Sequence, residues 1–198
     1  MSSEYRALVR EEIARVSPLD QREREDISRA LTWIDSGAEL CRLRKPDVPP
    51  VHLVSYFVLA AGMDLLLVDH INAQLWLPTG GHVEPGEDPR DAARREAQEE
   101  LGVAADFLID GPVFVTVTET VGLTAGHTDV SLWYLLAGDR SGALAFDQEE
   151  FNDARWFHPT EIPYERSDPE MRRFVSKLAA SSVQQALGSD ATTRHRTS

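Results

Sequence analysis

The sequence contains a single cysteine, Cys41, so no disulfide can form within the chain. Because small secreted domains commonly depend on disulfides, this composition fits a reducing compartment and predicts a cytoplasmic protein. No apolar run approaches the roughly 18 residues that a transmembrane helix needs. The first residues also lack the apolar core of a signal peptide. We therefore expect neither a membrane-spanning segment nor a secretory leader.

Basic residues are scarce relative to acidic ones. The 198 residues include 20 Lys and Arg against 33 Asp and Glu, which gives a formal net charge of -13. Proteins that bind nucleic-acid polymers or anionic membranes over a broad face need a basic surface, so neither partner is expected. A small phosphorylated ligand held through a metal ion remains compatible with this charge. The length suits one domain with an extension.

Two amphipathic helices are predicted at the start of the chain. Apolar residues recur at helical spacing from Tyr5 to Val16 and again from Ile27 to Ile34. Ser17-Pro18 is predicted to begin the second helix and Gly37 to end it. The proline-containing stretch KPDVPP follows and indicates a boundary. We therefore interpret residues 1–46 as a helical extension whose deletion should leave the following domain able to fold.

From residue 51 onward, the pattern changes to short strands with one intervening helix. The helix falls between the third and fourth strands, and a further helix begins at Asp168. This order predicts an α/β domain over residues 47–187, followed by a flexible tail over 188–198. The predicted strands cover residues 51–60, 64–70, 74–78, 113–120, 127–138 and 154–159.

The intervening helix carries three glutamates on one face. Asp88 is a suitable N-cap, Pro89 fits the first helical position, and Gly102 can end the helix. The glutamates stand at positions i, i+3 and i+4, which span about 100° of arc. The opposite side offers small apolar residues that can pack on a sheet. The three glutamates are Glu96, Glu99 and Glu100, and the apolar residues are Ala93, Ala97 and Leu101.

Such a cluster of like charges needs a compensating partner. Carboxylates at i, i+4 destabilise a helix by about 0.2–0.5 kcal/mol per pair. Arg95 lies four residues before Glu99 and can pair with it, but one arginine does not offset the whole cluster. Mg²⁺ prefers carboxylate oxygens and commonly bridges to substrate phosphates. Glycines before the helix would let the backbone bring Glu87 towards the same site.

The segment from Gly80 to Val103 resembles the Nudix box, G-x5-E-x7-R-E-U-x-E-E-x-G-U, in which U is apolar. The resemblance extends over residues 48–180 and leaves residues 1–46 outside. Thr79 stands where the family commonly has proline. Every fixed position of the box is filled, by Gly81, Glu87, Arg95, Glu96, Ala97, Glu99, Glu100, Gly102 and Val103.

The resemblance implies a Nudix hydrolase, with an α/β/α sandwich around a mixed sheet. Such enzymes use Mg²⁺ or Mn²⁺ to hydrolyse the diphosphate linkage of nucleoside diphosphate derivatives. It further implies that Arg95 orients a glutamate and that Glu87 supports the metal site. The implied metal ligands are Glu96, Glu99 and Glu100. For a general base or further ligand from a later loop, our first choice is Glu150, then Glu149 and Glu119.

One predicted strand offers residues for substrate binding. Strict alternation places His127, Asp129, Ser131 and Trp133 on one face. With Gly81 of the box, these are our predicted substrate-binding residues, and Trp133 could stack on a base. The alternative is a half-exposed strand whose polar residues face water. His52, His70 and His158 show no ligand spacing, and His82 is expected to form loop hydrogen bonds rather than to bind metal.

The substrate itself is less well indicated. The proline that many ADP-ribose pyrophosphatases carry some 15 residues after the box is absent, as is the tyrosine typical of many dinucleoside polyphosphate hydrolases. A nucleoside triphosphate pyrophosphohydrolase similar to the MutT group is the leading hypothesis. The alternatives are a nucleotide-sugar or dinucleotide pyrophosphatase, a non-catalytic ligand sensor and, least favoured, an isopentenyl diphosphate isomerase. The N-terminal helices could pack on the domain, form a lid or make a homodimer contact.

Overall fold

The structure is a computed structural model, and it describes residues 2–120 and 126–180. The predicted tail over 188–198 lies outside these residues. No helix in the described part of the chain is both long and apolar enough to cross a membrane.

Both predicted N-terminal helices are present: α1 covers Ser3–Ala14 and α2 covers Gln21–Asp35. The predicted start of α2 at Ser17-Pro18 is wrong. Asp20 is the N-cap, and its side chain accepts a hydrogen bond from the Glu23 backbone N–H. Glu23 in turn accepts from the Leu19 backbone N–H, so a reciprocal arrangement of Asp20 and Glu23 fixes the start of the helix.

The predicted strands form one mixed sheet. The strand order is β3-β2-β1-β6-β5, with β4 paired to β1 and β7 paired to β2. The β1–β2, β2–β3, β2–β7 and β5–β6 pairs are antiparallel. The strands are β1 (Val51–Ala61), β2 (Asp64–His70), β3 (Leu75–Leu77), β4 (Thr79–His82), β5 (Phe114–Glu119), β6 (Thr128–Ala137) and β7 (Phe151–Phe157).

The central helix and the last helix also agree with the sequence pattern. The central helix, α3, covers Pro89–Leu101, and Gly102 follows it with φ 67°. A short 3₁₀-helix spans Tyr164–Arg166, and α4 covers Met171–Ala180. Asp168 precedes α4, where its side chain accepts a hydrogen bond from the Glu170 backbone N–H.

The described residues divide into two compact units. The first contains the chain up to Tyr56 together with Gly80–Glu96 and Gly111–Tyr134. Its fully buried side chains include Val9, Ile13 and Ile34 from the N-terminal helices. The second contains Phe57–Thr79, Ala97–Asp110 and, among the described residues, Leu135–Ala180. Its fully buried side chains include Leu67, Leu135 and Phe174.

The N-terminal helices are therefore part of the first unit. Glu23 of α2 accepts a hydrogen bond from the backbone N–H of Val115 in β5 at 3.4 Å. After α2, the Leu40 carbonyl accepts from the backbone N–H of Leu53 in β1 at 2.7 Å. These bonds tie the predicted extension to two strands of the sheet.

Candidate active site

The local sequence explains how α3 presents its glutamates. Ala92, Ala93, Ala97 and Leu101 are all fully buried, so this side of the helix is its packed side. The Asp88 carbonyl accepts from the Ala92 N–H at the start of the helix, and the Gly102 N–H donates to the Gln98 carbonyl at its end. With both ends held by hydrogen bonds, the glutamate positions keep helical spacing on a face away from the buried alanines.

The absence of a side chain at Gly81 leaves space for the Glu96 carboxylate. A Cβ atom added at Gly81 would overlap the carboxylate of Glu96. A Cβ atom at the neighbouring Gly80 would overlap the backbone of Ser55 and Tyr56 in β1, and Gly80 also has φ 144°. Two glycines are therefore required for different reasons, one by the carboxylate and the other by strand contact.

Arg95 holds two glutamates at once. Its Nε and Nη2 donate to the two carboxylate oxygens of Glu87, at 2.8 and 3.0 Å. Its Nη1 donates to Oε1 of Glu96 at 2.7 Å, and Nη2 also donates to the carbonyl oxygen of His82 at 3.2 Å. The guanidinium therefore joins the loop before α3 to the helix itself, and it orients Glu96.

These contacts shift the pKa values of Arg95 and Glu87. The hydrogen bond to Glu87, and after it the one to Glu96, raises the pKa of Arg95. Burial acts to raise the pKa of Glu87, but the hydrogen bonds from Arg95 and from the Glu84 backbone outweigh it, and the net shift is downward. Glu87 and Arg95 therefore form an ion pair at neutral pH.

The remaining glutamates are more accessible. Glu99 is exposed and Glu100 is partly exposed, whereas the Glu96 side chain is only 13% exposed. The Glu100 carbonyl accepts a hydrogen bond from the backbone N–H of Asp147 at 3.2 Å. The turn that begins at Asp147 carries both Glu149 and Glu150, which are exposed. Glu119, the third predicted base, is exposed at the end of β5.

The predicted substrate-binding residues of β6 separate into two groups. Ser131 and Trp133 are 2% and 1% exposed, and Nε1 of Trp133 donates to Oγ1 of Thr116 at 3.1 Å. Trp133 also makes an edge-to-face contact with Tyr56 at 5.2 Å between ring centroids. Both side chains are thus buried, and Trp133 packs against residues of neighbouring strands. His127 and Asp129 instead lie together beside a further pair of histidines.

Three histidines meet where β1, β4 and β6 begin or end. Nε2 of His52 is 3.0 Å from Nε2 of His82, and the His52 ring is stacked on that of His127 at 5.0 Å between centroids. Oδ1 of Asp129 lies 3.4 Å from Nε2 of His52 and 3.3 Å from Nε2 of His127. Sequence reasoning missed this cluster because no spacing links residues 52, 82 and 127. Only the pairing of their strands reveals it.

Two of these histidines have shifted ionisation. Burial lowers the pKa of His82 to about 4, with a further contribution from the positive charge of Arg42. Burial also acts to lower the pKa of His52, but Asp129 and the Pro49 carbonyl outweigh it, so the net shift is upward. His82 is therefore a neutral imidazole at neutral pH, and it hydrogen-bonds to His52.

Comparison with known proteins identifies both the sequence family and the fold. Residues 51–178 match the family described as NUDIX domain. A MutT Nudix hydrolase from Burkholderia pseudomallei is 21% identical with a TM-score of 0.52, and the match covers 65% of this chain and 98% of that one. A Nudix-family hydrolase from Clostridium perfringens is 19% identical with a TM-score of 0.52, over 69% of this chain and 96% of that one.

A third similar structure is that of the ORF135 protein from E. coli. It is 26% identical with a TM-score of 0.50, and the match covers 66% of this chain and 91% of that one. The three likenesses together confirm the predicted fold, a mixed sheet with helices. Residues 1–50, which include both N-terminal helices, lie outside the matched family region.

Proposed function

Because the chain belongs to the Nudix domain family, we propose that it hydrolyses a diphosphate linkage, with a nucleoside triphosphate as its substrate. The observation that carries the proposal is the fixed position of Glu96, whose carboxylate is bonded by Arg95 and seated against Gly81. A solvated helix face needs neither an arginine bridge to a loop nor a glycine opposite one carboxylate. A catalytic carboxylate needs both, because its position must be fixed.

The donor set fits a hard divalent cation. The face of α3 offers carboxylate oxygens alone, which suit Mg²⁺ or Mn²⁺. Glu96, Glu99 and Glu100 would hold the ion, while Glu87 serves the site through Arg95, because both of its oxygens accept from that guanidinium. When bound, the ion would neutralise charge on the diphosphate and lower the pKa of an attacking water.

The chain's own groups would complete the reaction. Water forms a new bond to one phosphorus, and the bond from that phosphorus to the bridging oxygen breaks, so a triphosphate yields a nucleoside monophosphate and pyrophosphate. A carboxylate must accept the proton from the water. We assign this role first to Glu150 and second to Glu149, on the exposed turn whose Asp147 N–H bonds the Glu100 carbonyl.

The proposed substrate class rests on sequence features alone. The chain lacks the proline and tyrosine markers of two other Nudix groups, which leaves the triphosphate as the favoured substrate. Assays with Mg²⁺ or Mn²⁺ across nucleoside triphosphates, nucleotide sugars and dinucleotides, with products identified, test this directly. Preferred cleavage of a nucleotide sugar or a dinucleotide would replace the triphosphate while leaving the hydrolase intact.

Replacing the two accessible glutamates tests the metal face. Glu99→Gln and Glu100→Gln keep side-chain size but remove a charged oxygen ligand. We expect each to lower the rate by more than about 100-fold, the upper loss typical of removing an outer-sphere partner. The metal-free variants should be no less stable than wild type, since Glu99 and Glu100 each repel Glu96 across one helical turn, by about 0.3 kcal/mol per pair.

Glu84→Gln is the matched control. It makes the same substitution in the same box, but at an exposed loop position that the box leaves free. Initial rates and melting temperatures with and without Mg²⁺ should separate the variants, because an ion that binds only the native state raises its stability. If the Gln variants keep the wild-type rate and the wild-type response to Mg²⁺, the three glutamates are a solvated face and the proposal fails.

A further inference from the structure

Three histidines and an aspartate lie together outside the glutamate face. His52 is in β1, His82 ends β4, and His127 directly precedes β6. With Asp47, each offers one nitrogen or oxygen donor, and the four donors lie within 4.8 Å of one another. The hydrogen bond from the Thr128 N–H to the Pro50 carbonyl, 2.7 Å long, fixes the start of β6 beside the start of β1.

The spacing of the donors is close to that around a bound ion. Zn–N bonds of 2.0–2.1 Å in a tetrahedral site put neighbouring ligand atoms about 3.3 Å apart. Nε2 of His52 and Nε2 of His82 are 3.0 Å apart, and Nδ1 of His127 is 3.4 Å from Oδ2 of Asp47. The widest separations in the set, up to 4.8 Å, require the two pairs to draw together by small side-chain rotations.

The histidines also have the outer partners that metal-binding histidines commonly have. Nδ1 of His52 is 3.0 Å from the Pro49 carbonyl, which can only accept, so this nitrogen carries a proton and Nε2 is the nitrogen that can bind an ion. Nε2 of His127 faces the Asp129 carboxylate at 3.3 Å. Its Nδ1 is shared between Oγ1 of Thr120, at 3.1 Å, and Oδ2 of Asp47, at 3.4 Å. A carbonyl or carboxylate behind the imidazole fixes its ring orientation and its tautomer.

The charge of the cluster favours a cation. Asp47 and Asp129 bring two carboxylates to a place where His52 is fully buried and His127 is 9% exposed. Arg42 lies 3.9 Å from Asp47 and offsets one of the two negative charges, so one remains. Oδ1 of Asp129 is itself buried, and the nitrogens nearest to it are Nε2 of His52 and Nε2 of His127, at 3.4 and 3.3 Å. A buried carboxylate is costly unless its charge is compensated, and a divalent ion between the imidazoles would compensate it.

We propose that His52, His82, His127 and Asp47 form a second divalent-metal site, which takes Zn²⁺ and is separate from the glutamates of α3. Imidazole nitrogens suit borderline ions such as Zn²⁺ and Co²⁺, whereas Mg²⁺ prefers the all-oxygen set of the helix. The site positions the active-site loop, because His82 follows Gly81 and its carbonyl accepts from Arg95.

Zn²⁺ binding to the full chain tests the proposal. Protein stripped by chelator is titrated with Zn²⁺ alone, and stoichiometry and melting temperature are followed. We expect one equivalent to bind tightly and to raise the melting temperature by several degrees, since the ion binds only the native cluster. Co²⁺ in place of Zn²⁺ should give the visible absorption of a four-coordinate nitrogen and oxygen site. This measurement uses the wild-type protein alone.

Variants locate the ion. His82→Asn, at a partly exposed position, and the double variant His52→Gln with His127→Gln should lose the Zn²⁺ shift and the Co²⁺ absorption. His158→Gln, an exposed histidine outside the cluster, should keep both. Circular dichroism of the metal-free variants shows whether they fold. If the buried double variant does not fold, the comparison of His82→Asn with wild type is sufficient.

The glutamate face provides the second control. The double variant Glu99→Gln with Glu100→Gln should keep the Zn²⁺ response although it loses Mg²⁺-dependent hydrolysis. No Zn²⁺ response in the wild-type protein, an unchanged response in His82→Asn, or a response lost with the two glutamates would each overturn the second site. None of these results decides whether the protein performs Mg²⁺-dependent hydrolysis, because that activity is measured separately.

Discussion

Gly81 limits where the Glu96 carboxylate can lie, so its replacement should affect activity more than stability. In Gly81→Ala the new methyl group would overlap the Glu96 carboxylate, which is the far end of a flexible side chain and can move away. We expect the rate to fall by about 10- to 100-fold, as for other changes that misplace a ligand without removing it. Initial rates and melting temperature measure the two effects.

Gly80→Ala is the contrasting variant. Its methyl group would overlap the backbone of β1, which cannot move aside without disturbing the sheet, and φ 144° adds strain for any residue with a Cβ. This variant should lose stability first. If instead Gly81→Ala has the larger effect on melting temperature, the contact between Gly81 and Glu96 is a packing contact rather than a positioning one.

Arg95 can be tested through the shape of its side chain. Arg95→Lys keeps the positive charge but cannot bond both oxygens of Glu87 and also Glu96, so we expect a loss of rate of roughly 10- to 100-fold. Glu87→Gln weakens the same bridge. Because both changes act through Arg95, the fold-loss of rate in the double variant should be well below the product of the two single fold-losses. Fully additive losses would contradict this bridge.

At this scale the sequence predicts residue types better than partners. Every fixed position of the box is read from spacing, and Arg95, which is expected to orient a glutamate, donates a hydrogen bond to Glu96. The structure shows bonds from Arg95 to Glu87 and Glu96, and helical spacing suggests neither partner. Glu87 reaches Arg95 through an irregular loop, and loop paths have no periodicity to read. The histidine cluster is hidden because its members come together only when their strands pair.

Among the elements, strands with clear apolar runs are predicted closely, and β4, which has no apolar residue, is not. β2 occupies the predicted residues 64–70, because Gly62 gives a turn and the run ends sharply. β4 is absent from the sequence prediction, since Thr79–His82 contains two glycines and no apolar residue. It pairs with β1 because Gly80 allows close approach of the two backbones.

The start of α4 gives a prediction about pH. Burial raises the pKa of Asp168 to about 6 from its ordinary 3.8, although the Glu170 N–H opposes the shift. A carboxyl whose folded pKa is raised costs stability when it is ionised. That cost is complete above the folded pKa near 6 and disappears as pH falls below the unfolded value near 4.

Asp168→Asn should therefore stabilise the protein at neutral pH. Asparagine still accepts the Glu170 N–H and carries no charge to bury. We expect a gain on the order of 1 kcal/mol at pH 7.5, since one unit of pKa corresponds to about 1.4 kcal/mol. The gain should shrink towards pH 4. Melting temperatures of both proteins from pH 4 to 8 test this, and a difference that does not change with pH would contradict it.

For the whole molecule, the role of residues 1–46 is the main open prediction. The sequence indicates a separable extension, since the proline-containing stretch reads as a linker and the family match begins at residue 51. The structure instead gives these residues fully buried side chains in the first compact unit. A linker pattern shows where regular structure stops, but it does not show what the preceding helices pack against.

Deletion of residues 1–46 should therefore lower stability sharply. It removes Val9, Ile13 and Ile34, which are all fully buried, and it leaves the Val115 N–H without its Glu23 partner. The single change Ile34→Ala should already cost about 2–5 kcal/mol, the range for large-to-small core substitutions. Leu8→Ala, at a position 37% exposed in the same pair of helices, should cost less than about 1 kcal/mol. Urea unfolding of the point variants and circular dichroism of the truncated chain measure these effects. A truncated protein that melts at the wild-type temperature would show that residues 1–46 are the separable extension that the sequence suggests.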